Sequence, residues 1–321
     1  MADKIQNNPL VTVSVITYNS SATVLDTLDS IAKQTYDNLQ LVVSDDGSRD
    51  NTVSLCEEWI RQHENRFVNT TLLTVEKNTG VAANCNRAIN HIHGEFSKII
   101  AGDDLLMEDC VRKCVNYFHA NPEAEVLFSN CYLFAEREKN RKVIGTMPTQ
   151  DGKDMLALSI KQQKIVLYYA LFIPTPTIFL KSSVFNRYKY DERYPGCEDY
   201  PFVLNLVENN IKLYYMDEFT VYYRISDSVS HPSSILENGR MWYSHRKFFD
   251  EQLYGKLIYD HPRIFNYKMA RFMLADFRMY VLGNKNTKLN HLFSFIYRKM
   301  LGKKLNMNER DAVEYARNYS K

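Results

Sequence analysis

Apolar residues recur along the first 135 positions in two alternating rhythms. Short runs rich in β-branched residues read as buried strands: Val11–Ile16, Leu39–Val43, Thr71–Val75, Phe96–Ala101 and Glu125–Phe134. Between them apolar side chains return every three or four positions, as they do on one face of a helix. Val24, Leu25, Leu28, Ile31 and Ala32 mark the first helix, which Ser20 or Ser21 can cap. Leu55, Cys56, Trp59 and Ile60 mark a second, Val81–Ile92 a third, and Leu106–Phe118 a fourth. Repeated strand–helix–strand units predict an α/β fold, a mainly parallel sheet covered on both faces and joined by right-handed crossovers. The rhythm breaks after Phe134. Glu136–Lys142 reads as a solvated hairpin or loop, and mixed strands and helices then run up to Thr220–Ile225. From about His231 the pattern is helical and rich in aromatics. The predicted organisation is an α/β domain over 1–230, with halves of about 9–135 and 136–230, followed by a C-terminal helical region over 231–321.

Composition narrows the class. With 45% hydrophobic and 24% charged residues, the chain is an ordinary globular protein. A net charge of +2 gives no reason to expect a nucleic-acid partner. The first ten residues, "MADKIQNNPL", lack the basic cap and apolar core of a signal peptide. The longest uncharged apolar run, Ile165–Leu180, is short for a membrane span and holds Pro174 and Pro176, so it reads as core plus loop. Six cysteines are present and none forms Cys-x-x-Cys, which disfavours a zinc site or redox pair. A reducing, cytoplasmic compartment is expected.

Ligands of open α/β sheets bind at the carboxyl ends of the strands. Those ends are polar here: Tyr18 and Asn19 after the first strand, Asp45 and Asp46 after the second, Glu76–Gly80 after the third, and Asp103 and Asp104 after the fourth. Neither G-x-G-x-x-G nor G-x-x-x-x-G-K-[ST] occurs, so a dinucleotide fingerprint or P-loop is disfavoured. Carboxylates collect instead. They repel a bare diphosphate but attract Mg²⁺ or Mn²⁺, which can hold one. A cation also relieves repulsion between adjacent acids. The plainer reading of Asp103–Asp104 is a solvated cap for the helix expected from Leu106.

The motifs "PLVTVSVITYNS", "TLDSIAKQTYDNLQLVVSDDGSRDNT", "NTGVAANCNRAI", "GEFSKIIAGDDLL" and "GCEDY" occur in this order over about residues 9–225. In order and spacing the chain resembles the family 2 glycosyltransferases, inverting enzymes of the GT-A fold. That resemblance implies a nucleotide-sugar half over 9–135 and an acceptor half over 136–230. It implies that Tyr18 lies against the nucleotide base, that Asp46 hydrogen-bonds the base, that Asp103 faces the ribose, and that Asp104 holds a divalent cation, Mn²⁺ or Mg²⁺. Asp199 is implied as the catalytic base that activates an acceptor hydroxyl. Two departures stand out: Ile16 replaces a proline often found before Thr-Tyr-Asn, and Ala101 replaces the first acid of the usual triple. Lesser candidates are Asn86 in the donor-side loop, Glu198 as a group orienting Asp199, and Arg224 and His231 near the diphosphate or cation. A UDP-sugar donor is favoured, with GDP- and dTDP-sugars open, and the acceptor is a glycan or lipid-linked glycan of surface-polysaccharide assembly. A non-catalytic nucleotide-sugar-binding module is the alternative, although Asp46, Asp103, Asp104 and Asp199 are all intact. A sugar nucleotidyltransferase would carry a Gly-rich loop near the first strand, and "TYNSSA" has no glycine. Between Lys285 and Lys304 six basic residues and no acid interleave with apolar ones. That stretch suits peripheral contact with an anionic membrane, at the inner face of the cytoplasmic membrane, as well as it suits the solvated face of a packed helix.

Overall fold

The computed structural model describes residues 8–137, 140–225, 235–305 and 307–319. Contacts divide the chain into two compact units. The first comprises Met1–Thr149, Ile173–Tyr190 and Ile211–Arg224, and the second comprises Gln150–Phe172, Asp191–Asn210 and Ile225–Lys321. The boundary expected at 230/231 therefore coincides with only part of this division, because 150–172 and 191–210 also join the C-terminal helices.

The first unit is built on one mixed sheet. Its first strands and helices alternate as the sequence pattern requires: β1 (Val11–Thr17), α1 (Val24–Ala32), β2 (Leu39–Asp45), α2 (Thr52–His63), β3 (Asn69–Leu73), α3 (Val81–Ile89) and β4 (Phe96–Ala101). These strands run parallel in the order β3-β2-β1-β4. Six of the seven β1 residues are buried, since the sheet is covered on both faces. The core joins Val11, Val13 and Val15 of β1 to Leu28 and Ile31 of α1 and to Cys114 and Phe118 farther along. β3 pairs five residues with Gln40–Ser44, and this pairing places it two residues earlier than its apolar pattern alone predicts.

After β4 the order changes. β5 (Leu105–Leu106) precedes α4 (Cys110–Ala120), and β6 (Val126–Arg137) and β7 (Asn140–Met147) form an antiparallel pair through the charged stretch read as a hairpin or loop. Within this unit lie also β8 (Phe179–Lys181), α7 (Ser183–Arg187) and β9 (Leu213–Arg224). β8 runs antiparallel to both β4 and β6, and β9 runs parallel to β6. β5 pairs with β9, Leu105 opposite Tyr222 and Leu106 opposite Val221. This pairing captures the backbone directly after Asp104, so the fourth helix starts at Cys110 rather than Leu106.

The second unit is helical. It holds α5 (Gln150–Leu156), α6 (Ile160–Tyr169), α8 (Asp199–Glu208), α9 (Gly239–Phe248), α10 (Tyr254–Asp260), α11 (Pro262–Asp276), α12 (Lys288–Leu301) and α13 (Glu309–Tyr319). π-Helical turns at Phe249–Leu253 and Phe277–Val281 extend α9 and α11. Aromatic contacts carry much of its interior: Phe249 packs on Phe265 and Phe272, and Phe248 meets Tyr194 and Tyr200 edge-on. All six cysteines of the chain are buried and none forms a disulfide. Among the described residues no helix is long and apolar enough to cross a membrane.

Candidate active site

Because β1, β2 and β4 are parallel and in register, their carboxyl ends meet at one edge. Thr17 lies opposite Asp45, and Ile16 lies opposite Ala101. Gly102 makes the approach of β4 to β1 close. A Cβ there would stand 2.8 Å from Thr17 Cγ2 and 3.3 Å from Ser20 Oγ. The Gly102 N–H donates to Ile16 O (2.9 Å), and its carbonyl accepts from Thr23 Oγ1 (2.7 Å).

The loop after β2 is braced by its two acids. Asp45 is buried and accepts from Thr17 Oγ1 (2.8 Å), Ser48 N (2.8 Å) and Ser48 Oγ (2.5 Å), so it shapes the turn. Asn19, at φ +51°, joins the same turn: its N–H donates to Ser48 Oγ (2.7 Å) and its Oδ1 accepts from Arg49 N (2.8 Å). Asp46 is 2% exposed. Its Oδ2 accepts from Thr79 N (2.9 Å) and Gly80 N (2.7 Å), and its Oδ1 from Thr79 Oγ1 (2.5 Å) and Arg87 Nη2 (3.2 Å). Four donors fill the four lone-pair sites of a carboxylate. Asp46 therefore holds the loop before α3 in place. Thr79 and Arg87 did not stand out in the sequence. The usable signal was Asn84 and Arg87 spaced i, i+3 on α3, since Arg87 Nη1 donates to Asn84 Oδ1 (2.8 Å). Asn86 is also a brace: its amide donates to Tyr190 O (2.9 Å) and accepts from Tyr190 N (3.0 Å). Tyr18, by contrast, is 44% exposed at the tip of β1.

The two acids after β4 have separate surroundings. Asp104 is 1% exposed and its Oδ1 accepts from Arg224 N (2.8 Å), at the end of β9. Its carbonyl accepts from Thr27 Oγ1 (2.8 Å) on α1. Burial, followed by the neighbouring Asp103, pushes the Asp104 carboxyl well above the usual range. Asp104 is thus buried rather than a solvated cap. Asp103 is only half-buried, and burial raises its carboxyl while Arg224 pulls it back. Ala101, where an acid was expected, is exposed. The Arg224 side chain is engaged within the sheet unit. Its Nε donates to Asp103 O (2.7 Å), its Nη1 pairs with Glu136, and its guanidinium lies 4.7 Å from the Phe134 ring centroid. Among the described residues no group of three or more His, Cys, Asp or Glu could hold a metal. His231 lies outside the described residues.

Asp199 belongs to the second unit, as the first residue of α8, where a helix N-terminus favours negative charge. The chain reaches it through Gly196, at φ +81°. Glu198 is half-buried and burial raises its carboxyl; its Oε2 has no hydrogen-bond partner among the described residues. Tyr200 is anchored by donating to Leu167 O (2.5 Å) and accepting from Lys268 Nζ (3.1 Å). Burial holds Lys268 down to about 7 and His245 down to about 4. Lys268, 68 residues after Tyr200, gave no sequence signal of this contact.

Comparison with known proteins places this geometry. The model of the family "Glycosyl transferase family 2" matches residues 12–189, more than half of the 321 residues. An uncharacterized glycosyltransferase of Methanocaldococcus jannaschii is 25% identical over 230 residues, 71% of this chain and 75% of that protein. The minor teichoic acid biosynthesis protein GgaB of Bacillus subtilis is 21% identical over 230 residues, 71% of this chain and only 24% of that protein. S. aureus TarS 1-349 in complex with UDP-GlcNAc aligns with a TM-score of 0.57 at 18% identity, over 97% of this chain and 88% of that one. The parallel strand ends, their acid-bearing loops and the match over residues 12–189 together establish that this chain belongs to glycosyltransferase family 2 and is a glycosyltransferase of the GT-A fold.

Proposed function

We propose that the chain moves a sugar from a nucleoside-diphosphate donor, a UDP-sugar first among them, to a hydroxyl of a surface glycan, with inversion at the anomeric carbon. The observation that carries the reading is the end of β4, where Asp103 is half-open between exposed Ala101 and buried Asp104. Tyr18, exposed on the adjacent strand end, supplies a flat face for a base. Asp103 also meets the requirement for a divalent cation. Its carboxyl is only half-buried and so within reach of a cation, and Mg²⁺ or Mn²⁺ needs only one or two carboxylates when substrate phosphates complete its shell. Burial of Asp104 supports giving the cation to Asp103 and leaving Asp104 to hold the β9 end through Arg224 N. When bound, such a cation offsets charge on the leaving diphosphate. Asp46 fixes the Thr79–Gly80 loop beside the strand ends. Asp199 takes the proton of the acceptor hydroxyl as that oxygen attacks, and Glu198 positions it. The UDP-GlcNAc bound by TarS supports the donor class, and the teichoic acid pathway of GgaB supports the acceptor class.

The test is a nucleotide-sugar screen by calorimetry with and without Mn²⁺, followed by assignment of the product anomer by NMR. Asp103→Asn is expected to abolish Mn²⁺-dependent donor binding with an unchanged melting temperature. Retention of that binding would remove Asp103 from the site, and a product of retained configuration would overturn the single displacement.

A further inference from the structure

Helix α12 carries two apolar faces, and the rest of its unit uses one. Tyr297 stacks on Phe277 with ring centroids 4.2 Å apart, and Tyr297 and Leu301 pack on Ala270 and Leu274 of α11. On the same side Ser294 is buried and accepts from Arg278 Nε (3.3 Å), and Asn290 Nδ2 donates to Leu282 O (3.0 Å). The second face is formed by Leu289, Leu292, Phe293, Ile296 and Met300. Their spacing of i, i+3, i+4, i+7 and i+11 makes one stripe along the helix. These five side chains are between 41% and 77% exposed. Tyr280 and Val281, on the π-helical turn shortly before α12, are exposed as well. Scattered exposed apolar residues are ordinary on a protein surface, whereas a continuous stripe of them marks an interaction face.

Charge identifies the partner. No Asp or Glu occurs from Phe277 to Asn308, while Lys285, Lys288, Arg298, Lys299 and Lys304 all fall in that interval. None of those five is in an ion pair among the described residues. Lys288 and Lys299 stand four residues before and seven after Leu292, so two cations flank the apolar stripe. A second copy of this chain seated on the stripe would bring the same cations against one another. A surface that is apolar within and anionic at its rim matches both features. At 14 residues α12 is about 21 Å long, too short to cross a hydrocarbon core of about 30 Å, so it can only lie along the interface.

We propose that α12 is an interfacial helix that docks the protein on an anionic lipid bilayer. Leu289, Leu292, Phe293, Ile296 and Met300 enter the boundary of headgroups and acyl chains, and Lys288 and Lys299 meet lipid phosphates. The inference is independent of which sugar or acceptor the protein uses.

The full chain is floated with vesicles of phosphatidylcholine alone and with vesicles that also contain phosphatidylglycerol, at low and high salt. Flotation is expected with the anionic vesicles only, and it falls as salt rises. Lys288→Glu with Lys299→Glu is expected to weaken partitioning by at least about tenfold. Ile296→Asp with Met300→Asp is expected to abolish it, with melting temperature and transfer to a soluble acceptor unchanged, since all four side chains are exposed. Absence of flotation with anionic vesicles, or equal flotation with both kinds, overturns the proposal. So does a lipid-free dimer that Ile296→Asp converts to monomer, which would make the stripe a contact between copies.

Discussion

Asp46→Asn tests whether this acid acts by bracing a loop. The substitution keeps the shape and removes the charge. Its Oδ1 can still accept from Thr79 N and Gly80 N, but its amide nitrogen now faces Arg87 and the Thr79 hydroxyl. The hydroxyl can turn and accept, whereas Arg87 cannot. Two N–H bonds to a charged acceptor become bonds to a neutral one, a loss of about 1 kcal/mol each. The Asp46–Arg87 ion pair is lost on the protein side at 3% exposure, but Arg87 is 19% exposed and keeps its bonds to Asn84 and Thr79, which limits that loss to about 1 kcal/mol. The sum is about 3 kcal/mol, or a fall of roughly 6–12 °C in Tm for a unit of this size. Differential scanning calorimetry measures it, and a double-mutant cycle with Arg87→Gln should return a coupling of about 1–2 kcal/mol. Thr79→Val, which leaves Asp46 intact, should lower Tm by a smaller amount and weaken donor binding with it. If Asp46→Asn melts within about 2 °C of the parent, the four-donor network does not hold the loop and the bracing role is wrong.

Asp199→Asn is expected to leave nucleotide-sugar binding by calorimetry intact while transfer falls by at least about a hundredfold; near-parental turnover would take Asp199 out of the reaction. Ala101→Asp restores an acid at an exposed position beside Asp103, and should raise Mn²⁺ affinity in the absence of donor by about tenfold; unchanged Mn²⁺ titrations would show that the end of β4 does not meet the cation. Lys268, held down to about 7 by burial, gives a pH dependence of known sign. Between that value and about 10.5 the unfolded chain binds the proton and the folded one does not, so this group makes stability rise with pH across that window and imposes its full penalty below it. Lys268→Met should remove that slope in urea unfolding followed from pH 7 to pH 9 and raise stability most at the lower end; an unaltered slope would mean that Lys268 is solvated.

The parallel half of the sheet was legible because β-branched runs and helical faces alternate without interruption from Val11 to Ala101. The interleaving of the two units was not. Ile165–Leu180 is one apolar run in the sequence, yet residues up to Phe172 belong to the helical unit and those from Ile173 to the sheet unit. Hydropathy cannot mark that change of unit, and only Pro174 and Pro176 hint at it. Positions of candidate residues followed from motif order, but their exposure did not. Exposure depends on partners that the fold brings from far along the chain, as when Tyr190 closes on Asn86 or Arg87 on Asp46.

The adjacent acids of "AGDD" show what that distant partner decides. Two neighbouring carboxylates at the end of a buried strand repel each other, and sequence offers no reason why one should differ from the other. The fold separates them by delivering Arg224 N to Asp104 and Arg224 Nε to the Asp103 carbonyl. One residue thereby fixes both ends of the turn, while its guanidinium is occupied by Glu136 and the Phe134 ring. Asp104 is buried, with its Oδ1 bonded to the β9 backbone. Asp103 keeps its carboxyl half-open, and because Ala101 supplies no second acid, a cation there must draw on the phosphates of its substrate. Cation and donor should therefore bind as a pair, each weakly without the other, which ties metal use to the presence of a nucleotide sugar through the chemistry of a single missing carboxylate.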